Sequence, residues 1–447
     1  MHQHSTTPRP EAISSRATPA RPPRVFVGTI EVSGFVSELA DGIARAGYAV
    51  DACVRVGHEN FSERLYDLDL SEDTHAVDWA TLEREVAAGT FRAPEALRDE
   101  ADATERMRWV LGQHDVFVFV YGSLRPDRRG SLRWEGQGRE YPLLRRLGKR
   151  VVSYFVGPDV RHASAYDQQL AALGGAFRPM GDIIPSWATD PVARPLRNLR
   201  RAELYADVIF SQPNQAGLAL RPYAHIHAPI ELARLRAEVP GREVPLVVHA
   251  PSERNIKGTD LLVAALDRLR AEGVRFDFRL LHGVANDVVL RSLGEADVVI
   301  DQLHLPMHGR LGVEAMASGC ALVTADRPDL EPFPAQRPIW PIDPAGLDGQ
   351  LRAVLTDRSL RVRLGHEGIA HARRYHDHVA VGRRVVEAAT APAPTLEHRP
   401  DFFARHYQLP AGVTLPTRLR ALTARVARRW GLPDGVTLEQ LRARGLA

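Results

Sequence analysis

The stretch PLVVHAPSERNIKGTDLLVAALDRLRA, residues 245–271, joins a short apolar run, a polar loop and an amphipathic segment. The run at 245–249 has the length and composition of a buried strand, and the apolar residues after Thr259 recur at helical spacing. A strand, a loop and a helix in this order form the repeating unit of a parallel sheet that is covered by helices. This stretch therefore predicts an α/β fold.

The same alternation extends through most of the chain. It predicts further strands at 24–30, 49–54, 115–121, 150–156, 207–212, 276–282, 297–302 and 321–324. It predicts a mostly helical segment at 79–111 and helices at 141–147, 199–205, 287–293 and 312–318. A chain of 447 residues exceeds what one hydrophobic core normally supports, so two domains are expected. The predicted divisions are a disordered leader at 1–23, an N-terminal domain at 24–236, a C-terminal domain at 237–392 and a helical extension at 393–447.

The composition limits the class of protein. The longest apolar runs are far below the roughly 20 residues of a membrane-spanning helix, so no transmembrane segment is expected. The leader lacks the apolar core of a secretory signal, and Cys53 and Cys320 alone cannot form a disulfide framework or a zinc site. These features favour the cytoplasm. Basic and acidic residues are interspersed, so a formal charge of +3 favours a mildly basic surface over a nucleic-acid partner.

The extension contains an amphipathic helix. One of its faces carries Leu415, Leu419, Leu422, Val426 and Trp430. This stripe predicts packing against a domain or against a second subunit rather than binding to a membrane, which leaves a homodimer open. The Arg-rich, Lys-poor composition suggests a bacterial source with GC-rich DNA.

The polar loop at 249–260 carries the first candidate site. Ligands of an open α/β sheet bind beyond the carboxyl ends of the strands, where loop amides and helix N-termini favour anions. Arg254 and Lys257 would add two cations there, beside Ser252 and Gly258. Fixed cations can neutralise the charge that develops on a leaving diphosphate, so both are interpreted as catalytic. Only Lys149 and Lys257 are lysines among 58 basic residues, which favours a chemical role for Lys257 over a solvated helix start.

A second candidate site is HGRLGVEAMASG at 308–319. Its closely spaced glycines enter a predicted helix and let backbone amides approach phosphate or sugar oxygens. Glu314 falls in the first turn, where its carboxylate can accept both hydroxyls of a ribose or can simply complement the helix dipole. The residues interpreted as donor-binding are Ser252, Gly258, His308, Gly309, Arg310, Leu311, Gly312 and Glu314.

The two motifs, in this order, resemble glycosyltransferase family 4, a group of retaining enzymes with the GT-B fold. The resemblance covers about residues 24–390 and is also carried by ADVVIDQ at 296–302 and GPDVR at 157–161. It implies two Rossmann-like domains that face each other across a cleft, with a nucleotide-sugar donor bound by the C-terminal domain and an acceptor by the N-terminal domain. It implies that Arg254 and Lys257 contact the donor diphosphate and that Glu314 contacts the ribose. UDP or GDP is the expected nucleotide of this co-substrate, with no cofactor and no metal.

Two positions depart from the family pattern. The family often has a glutamate aimed at the donor sugar eight positions before the ribose glutamate, and Pro306 occupies that position here. Many members have a histidine where this chain has Val156. The sugar contact is therefore expected from His304, His308 or the nearby backbone amides, and the identity of the sugar stays open.

The N-terminal half supplies the acceptor-side candidates, which are Gly28, Glu31, Gly34, Tyr121, Asp159 and Arg161. The first three belong to a turn after the first strand, and this turn does not match the G-x-G-x-x-G fingerprint of a nicotinamide enzyme. Asp159 and Arg161 can line the cleft or anchor their own loop. Asp67 and Asp69 form a D-x-D pair without the context of a metal site, so no metal is assigned to them.

The sequence contains no G-x-S-x-G elbow, no H-E-x-x-H and no P-loop. The hypothesis is therefore a retaining transfer in which the leaving diphosphate itself takes up the acceptor proton, with positioning and charge stabilisation supplied by the protein. The expected acceptor is a small molecule, such as a natural-product intermediate, or a glycan. Two alternatives stay open, namely a nucleotide-sugar epimerase or hydrolase on the same fold and a non-catalytic nucleotide-binding paralogue.

Overall fold

The structure is a computed structural model that describes residues 21–55, 66–70, 76–98, 100–125, 138–174, 177–332 and 334–447. The predicted leader at 1–23 lies almost wholly outside the described residues. Within the described ranges, none of the helices combines the length and the apolar character needed to cross a membrane.

The first half of the chain forms a sheet of seven strands, all paired in parallel. They are β1 (Val25–Thr29), β2 (Val50–Val54), β3 (Leu68–Asp69), β4 (Val116–Val120), β5 (Arg150–Tyr154), β6 (Val208–Ser211) and β7 (Ala224–His225). The accompanying helices are α1 (Phe35–Arg45), α2 (Trp79–Ala88), α3 (Ala103–Gln113), α4 (Tyr141–Arg146), α5 (Ala163–Leu173), α6 (Met180–Ile183), α7 (Pro185–Ala188) and α8 (Ala193–Tyr205). The strand order is β3-β2-β1-β4-β5-β6-β7, which contains the Rossmann order 3-2-1-4-5-6.

The second half forms a sheet of five parallel strands. They are β8 (Leu246–His249), β9 (Asp277–Leu280), β10 (Val298–Ile300), β11 (Ala321–Thr324) and β12 (Ile339–Pro341). The accompanying helices are α9 (Arg254–Lys257), α10 (Thr259–Ala271), α11 (Asn286–Leu293), α12 (Arg310–Ala317), α13 (Leu347–Thr356), α14 (Arg358–Tyr375) and α15 (His378–Thr390). The order β12-β11-β10-β8-β9 is that of a flavodoxin-like doubly wound sheet.

The central strands are apolar on both faces because helices cover both sides of each sheet. In β4, all five residues are buried, and Phe117 and Phe119 belong to one core cluster while Val116, Val118 and Val120 belong to the other. This division follows from side chains that alternate between the faces of a strand. Two parallel, helix-covered sheets confirm the predicted α/β class.

Each sheet has one point where its strand order reverses, and ligands of such sheets bind in the crevice there. In the first sheet the point lies between β1 and β4, so the loops at 30–34 and 121–124 flank it. In the second sheet it lies between β8 and β10, so the loops at 250–253 and 301–309 flank it. Both motifs singled out in the second half begin at this second point.

The chain returns to the first sheet after it completes the second. Helix α15 packs on α1, where the two backbones come so close that a Cβ atom on Gly42 would lie 2.0 Å from the carbonyl oxygen of His378. Val381, Val385 and Val386 belong to the same core cluster as the valines of β1 and β4. The predicted domain limits at 236/237 and 392/393 stay a prediction.

The C-terminal extension packs on the first half. It contains α16 (Phe402–Arg405), α17 (Thr417–Trp430) and α18 (Leu438–Ala443). Leu419 and Val426 are buried in the core cluster that also holds the apolar residues of α8. The indole N–H of Trp430 donates a 2.8 Å hydrogen bond to the carbonyl of Glu203. The helical extension is confirmed, and its apolar stripe is covered by this chain's own first half.

The segment at 79–111, predicted to be mostly helical, contains two helices rather than a continuous one. Helix α2 ends at Ala88 because Gly89 adopts the left-handed conformation, with a φ of 71°. Helix α3 begins anew where the Asp102 side chain accepts the amide hydrogen of Glu105. The described residues between them, 89–98 and 100–102, are not helical.

Candidate functional site

Lys257 is held at the reversal point of the second sheet. Its ammonium group donates to Asp301 Oδ1 at 2.5 Å and to Gln302 Oε1 at 3.1 Å, so the loop after β8 is tied to the loop after β10. The side chain of Asp301 is fully buried, and that of Lys257 is 11% exposed. Asp301 Oδ2 also accepts the amide hydrogen of Gly309. The carboxylate therefore fixes both the cation and the start of α12.

The charge state of Asp301 follows from these contacts. Burial by itself would raise the pKa of this carboxyl, but the Lys257 charge and the hydrogen bonds from Lys257 and Gly309 outweigh it, so the pKa is lowered. Asp301 is therefore ionised at neutral pH. The ammonium has three N–H donors, and the described contacts use two of them. One donor of Lys257 is left for a ligand.

The glycines of both motifs serve close packing around this ion pair. Gly258 has a φ of 71° and joins α9 to α10, and a Cβ atom on it would lie 2.8 Å from Leu303 Cβ. A Cβ atom on Gly309 would lie 3.4 Å from Lys257 Nζ, and one on Gly312 would lie 2.6 Å from His308 Cβ. A side chain at Gly258 or Gly312 would displace the neighbours that form the site, whereas the distance at Gly309 is an ordinary van der Waals contact.

Arg310 connects the two halves of the protein through two buried carboxylates. It donates to Glu314 Oε1 at 2.8 Å within α12, and its other side approaches Glu38 Oε2 of α1 at 2.7 Å. The side chains of Glu38 and Glu314 are 2% and 5% exposed. Burial and the charge of Glu38 raise the pKa of Glu314, although Arg310 opposes the shift. Glu314, predicted to contact a ribose, is engaged by Arg310 in this structure.

The other residues predicted to bind the donor differ in their exposure and in their partners. Arg254 is engaged elsewhere, since its guanidinium lies 2.5 Å from Asp260 Oδ1 in an exposed ion pair. Ser252 is exposed in the loop before α9. Leu311 packs against the apolar cluster under α12. The structure thus brings Lys257, Gly309, Arg310 and Glu314 together, and it leaves Arg254 and Ser252 at the rim.

A pocket between the halves adjoins this centre, and we call it the histidine pocket. Its ionisable lining residues are His225, His227, His308, Arg310, Arg337 and His376, and its remaining lining residues are uncharged. Ser33 and Val156 of the first half line it opposite Gly309 of the second half. The pocket is therefore a cleft between two Rossmann-like halves, which is the GT-B arrangement predicted from the sequence.

The histidine rings form a continuous row. The centroids of His308 and His376 are 6.1 Å apart, those of His376 and His227 are 5.7 Å apart, and those of His227 and His225 are 5.6 Å apart. Burial lowers the pKa of all four, with added repulsion from neighbouring rings at His225, His227 and His376, and for His225 the value falls to about 3. The row is uncharged at neutral pH. Among the described residues, no group of three or more histidine, cysteine, aspartate or glutamate side chains is arranged so that it could hold a metal ion.

The contacts of the acceptor-side candidates mainly stabilise the local fold. Gly28 lies inside β1, where a Cβ atom would come within 2.4 Å of the carbonyl oxygen of Cys53. Glu31 accepts the amide hydrogens of Val36 at 3.3 Å and of Ser37 at 3.1 Å, so it caps α1.

The remaining acceptor-side candidates also lie in tight turns. Gly34 and Tyr121 have positive φ angles of 80° and 52° in the loops after β1 and β4. Asp159 accepts the amide hydrogen of Gly157 at 2.9 Å, and burial raises the pKa of this carboxyl to about 6. Arg161 donates to Asn214 Oδ1 at 2.7 Å. Of the D-x-D pair, Asp67 accepts the amide hydrogen of Ala52 at 2.7 Å.

A second contact between the halves titrates near neutral pH. Glu331, after β11, accepts the amide hydrogen of Asn214, after β6, and burial raises the pKa of this carboxyl to about 8. The folded protein therefore keeps a proton that the unfolded chain loses near its ordinary pKa of 4.5. Stability gained from Glu331 is present below that ordinary value and is lost as pH rises through about 8.

We expect Glu331→Gln to remove this loss, because the amide stays uncharged at every pH. Urea unfolding at pH 5, 7 and 9 measures the free energy of unfolding. As pH rises, this free energy should fall in the wild type by up to about 1.4 kcal/mol per pH unit relative to the variant. Glu272→Gln, at an exposed position, is the matched control. Parallel stability curves for wild type and Glu331→Gln would contradict the assignment.

No known protein family matches this chain, and no curated protein matches its sequence. Similar solved structures include Anabaena Alr3699/HepE in complex with UDP and glucose, at 12% identity and a TM-score of 0.42, covering 82% of this chain and 98% of that one. Sucrose-phosphate synthase from Thermosynechococcus elongatus has 14% identity and a TM-score of 0.48, covering 81% and 97%. An alpha-glucosyltransferase in complex with UDP and a 13-mer DNA has 11% identity and a TM-score of 0.45, covering 82% and 100%. These identities and scores are too low to transfer a substrate or a mechanism.

Proposed function

We propose that this protein is a glycosyltransferase that moves a sugar from a nucleotide-diphosphate sugar to an acceptor. The observation that carries the proposal is the convergence of Lys257 and Gly309 at the reversal point of the second sheet, beside a pocket lined from both halves, with Glu314 in the helix that begins there. A cation with a spare donor, a helix start and a carboxylate are the groups that a diphosphate and a ribose need. The family resemblance of the sequence points to the same roles.

The proposed reaction depends on the negative charge that develops on the leaving phosphate. As the bond between the sugar and the diphosphate breaks, negative charge grows on the leaving phosphate, and Lys257 can neutralise it through its free N–H. Asp301 holds that ammonium in place before the donor arrives, so little reorganisation is needed during the reaction. Exposed Arg254 is proposed to swing from Asp260 to the diphosphate. We further propose retention of configuration, with the leaving phosphate taking the acceptor proton on the face it leaves.

The remaining parts of the proposal concern the setting. The acceptor is proposed to be a small molecule, such as a natural-product intermediate, or a glycan that enters from the first half. The reaction is proposed to occur in the cytoplasm of a bacterium, with no nucleic-acid partner. The proposed domain limits are those of the sequence analysis, and a homodimer is an open part of the proposal.

A nucleotide screen tests the proposal. Thermal unfolding is followed with the mono- and diphosphates of uridine, guanosine, adenosine and thymidine, and then with the matching sugar derivatives. The correct diphosphate at 100 times its Kd should stabilise the protein by about 2.7 kcal/mol, and the monophosphate by clearly less, because Lys257 meets the second phosphate. Mass spectrometry of donor and acceptor products then separates transfer from hydrolysis and epimerisation. Equal stabilisation by mono- and diphosphates would count against the proposal.

A further inference from the structure

The histidine pocket presents hydrogen-bond acceptors that no described residue satisfies. His376 Nδ1 lies 3.1 Å from the carbonyl oxygen of Ala228, so this nitrogen carries the hydrogen and Nε2 carries a lone pair. His308 Nδ1 is likewise directed at a carbonyl, that of Gly309, at 3.4 Å. Among the described residues neither Nε2 has a hydrogen-bond partner. Each ring therefore offers the pocket an acceptor.

A third acceptor comes from the first half of the chain. Gln215 is 7% exposed and lines the pocket, and its side-chain oxygen is buried without a hydrogen-bond partner among the described residues. Buried acceptors that stay unsatisfied cost free energy, so such a group marks a place where a ligand donates. The three acceptors belong to residues from three separate segments that line one pocket.

The charges around the row are already balanced. Arg310 is engaged by Glu38 and Glu314, Arg337 by Asp326, and Lys257 by Asp301. Burial lowers the pKa of both His308 and His376, so their rings are neutral at neutral pH. A carboxylate in this pocket would set its lone pairs against those of the ring nitrogens. The pocket suits hydroxyl groups, which donate hydrogen bonds without carrying charge.

We propose that the histidine pocket selects an uncharged sugar as the group to be transferred, with His308, His376 and Gln215 accepting hydrogen bonds from its hydroxyls. The inference rests on the proposed function, because the sugar is the part of the donor that follows the diphosphate. Gly309 lines this pocket and lies beside Lys257, so a diphosphate at Lys257 puts its sugar here. His308 and His376 then set donor specificity in place of a carboxylate.

The test compares the affinity of the sugar derivative with that of the nucleotide alone. Calorimetry measures Kd for UDP, UDP-glucose and UDP-glucuronic acid, with GDP, GDP-mannose and GDP-mannuronic acid in parallel. With the nucleotide that binds, the neutral sugar should tighten binding and the acid should weaken it. His376→Phe keeps a ring but removes the acceptor, so it should lose about tenfold of the affinity for the neutral donor and none of that for the nucleotide.

Two further variants separate recognition from folding. His376→Gln retains an acceptor and should recover most of the preference for the neutral sugar. His366→Phe, on the exposed face of α14, should leave every Kd unchanged. A wild-type protein that binds the uronic acid as tightly as the neutral sugar overturns the inference, as does an unchanged sugar preference in His376→Phe. If none of the diphosphates of uridine, guanosine, adenosine and thymidine binds, the proposed function itself has failed.

Discussion

Replacing Lys257 with Met should lower turnover of the nucleotide-sugar donor by about 100- to 1,000-fold, the loss that follows removal of one donor to a developing anion. The variant also leaves Asp301 as a buried carboxylate without its cation, so some of the loss could come from misfolding. The double variant Lys257→Met/Asp301→Asn removes that charge. It should unfold close to the wild type in urea and should still turn over donor at the reduced rate.

The other lysine of the chain provides a control for the loss of an ammonium group. Lys149 is the other lysine, and it donates to the carbonyl of Gly112 at the far end of the first sheet's strands. Lys149→Met should keep the full rate of donor turnover, measured as nucleotide diphosphate released with and without acceptor. Native turnover in Lys257→Met would show that the leaving diphosphate is stabilised by other groups.

The largest effect on stability is expected for Arg310→Met. The substitution leaves Glu38 and Glu314 buried together, with only the partly exposed Arg234, 3.8 Å from Glu38, as a remaining cation, and breaking such a buried pair costs about 3–5 kcal/mol. The pKa of Glu314 is already raised, so it takes a proton readily, and the variant should recover part of its stability as pH falls. Urea unfolding at pH 5 and pH 8 measures both effects.

Two comparisons make this prediction specific. In the triple variant Arg310→Met/Glu38→Gln/Glu314→Gln the carboxylates become uncharged, and most of the lost stability should return. Arg268→Met breaks an exposed ion pair with Asp348 and should cost about 0–1 kcal/mol. If Arg310→Met costs no more than Arg268→Met, the two carboxylates are not held by Arg310.

The strands and the two motifs could be predicted because their signals are local. The predicted strand at 115–121 contains β4, and the helix predicted at 312–318 overlaps α12, since an apolar run and a glycine-led helix start are visible within a few residues. The glycines of the candidate sites could also be recognised in the sequence, although Gly28 does not have the role that was predicted for it. Gly28 packs inside a strand rather than in a turn that faces the cleft.

The histidine pocket could not be read from local pattern. Its residues come from the segment after β6, the loop before α12 and the end of α14, which are far apart in sequence. The pairs H-I-H at 225–227 and H-D-H at 376–378 are visible in the sequence, but neither shows which other segments it meets in the fold. Glu38 was missed for the same reason, since its partner lies on another sheet's helix.

The return of α15 to the first sheet limits where the chain can be divided when its second half is exchanged for that of another protein. The segments that cross between the halves lie side by side, with Ile230 N donating to the carbonyl of His376 at 2.8 Å and His378 N donating to that of Ile230 at 3.1 Å. A chimaera that exchanges the second sheet for that of another protein should therefore be spliced at these paired crossings, so that α15 remains native to α1. A graft that carries a foreign α15 would have to reproduce the contact between Gly42 and Gly382, where neither backbone leaves room for a side chain.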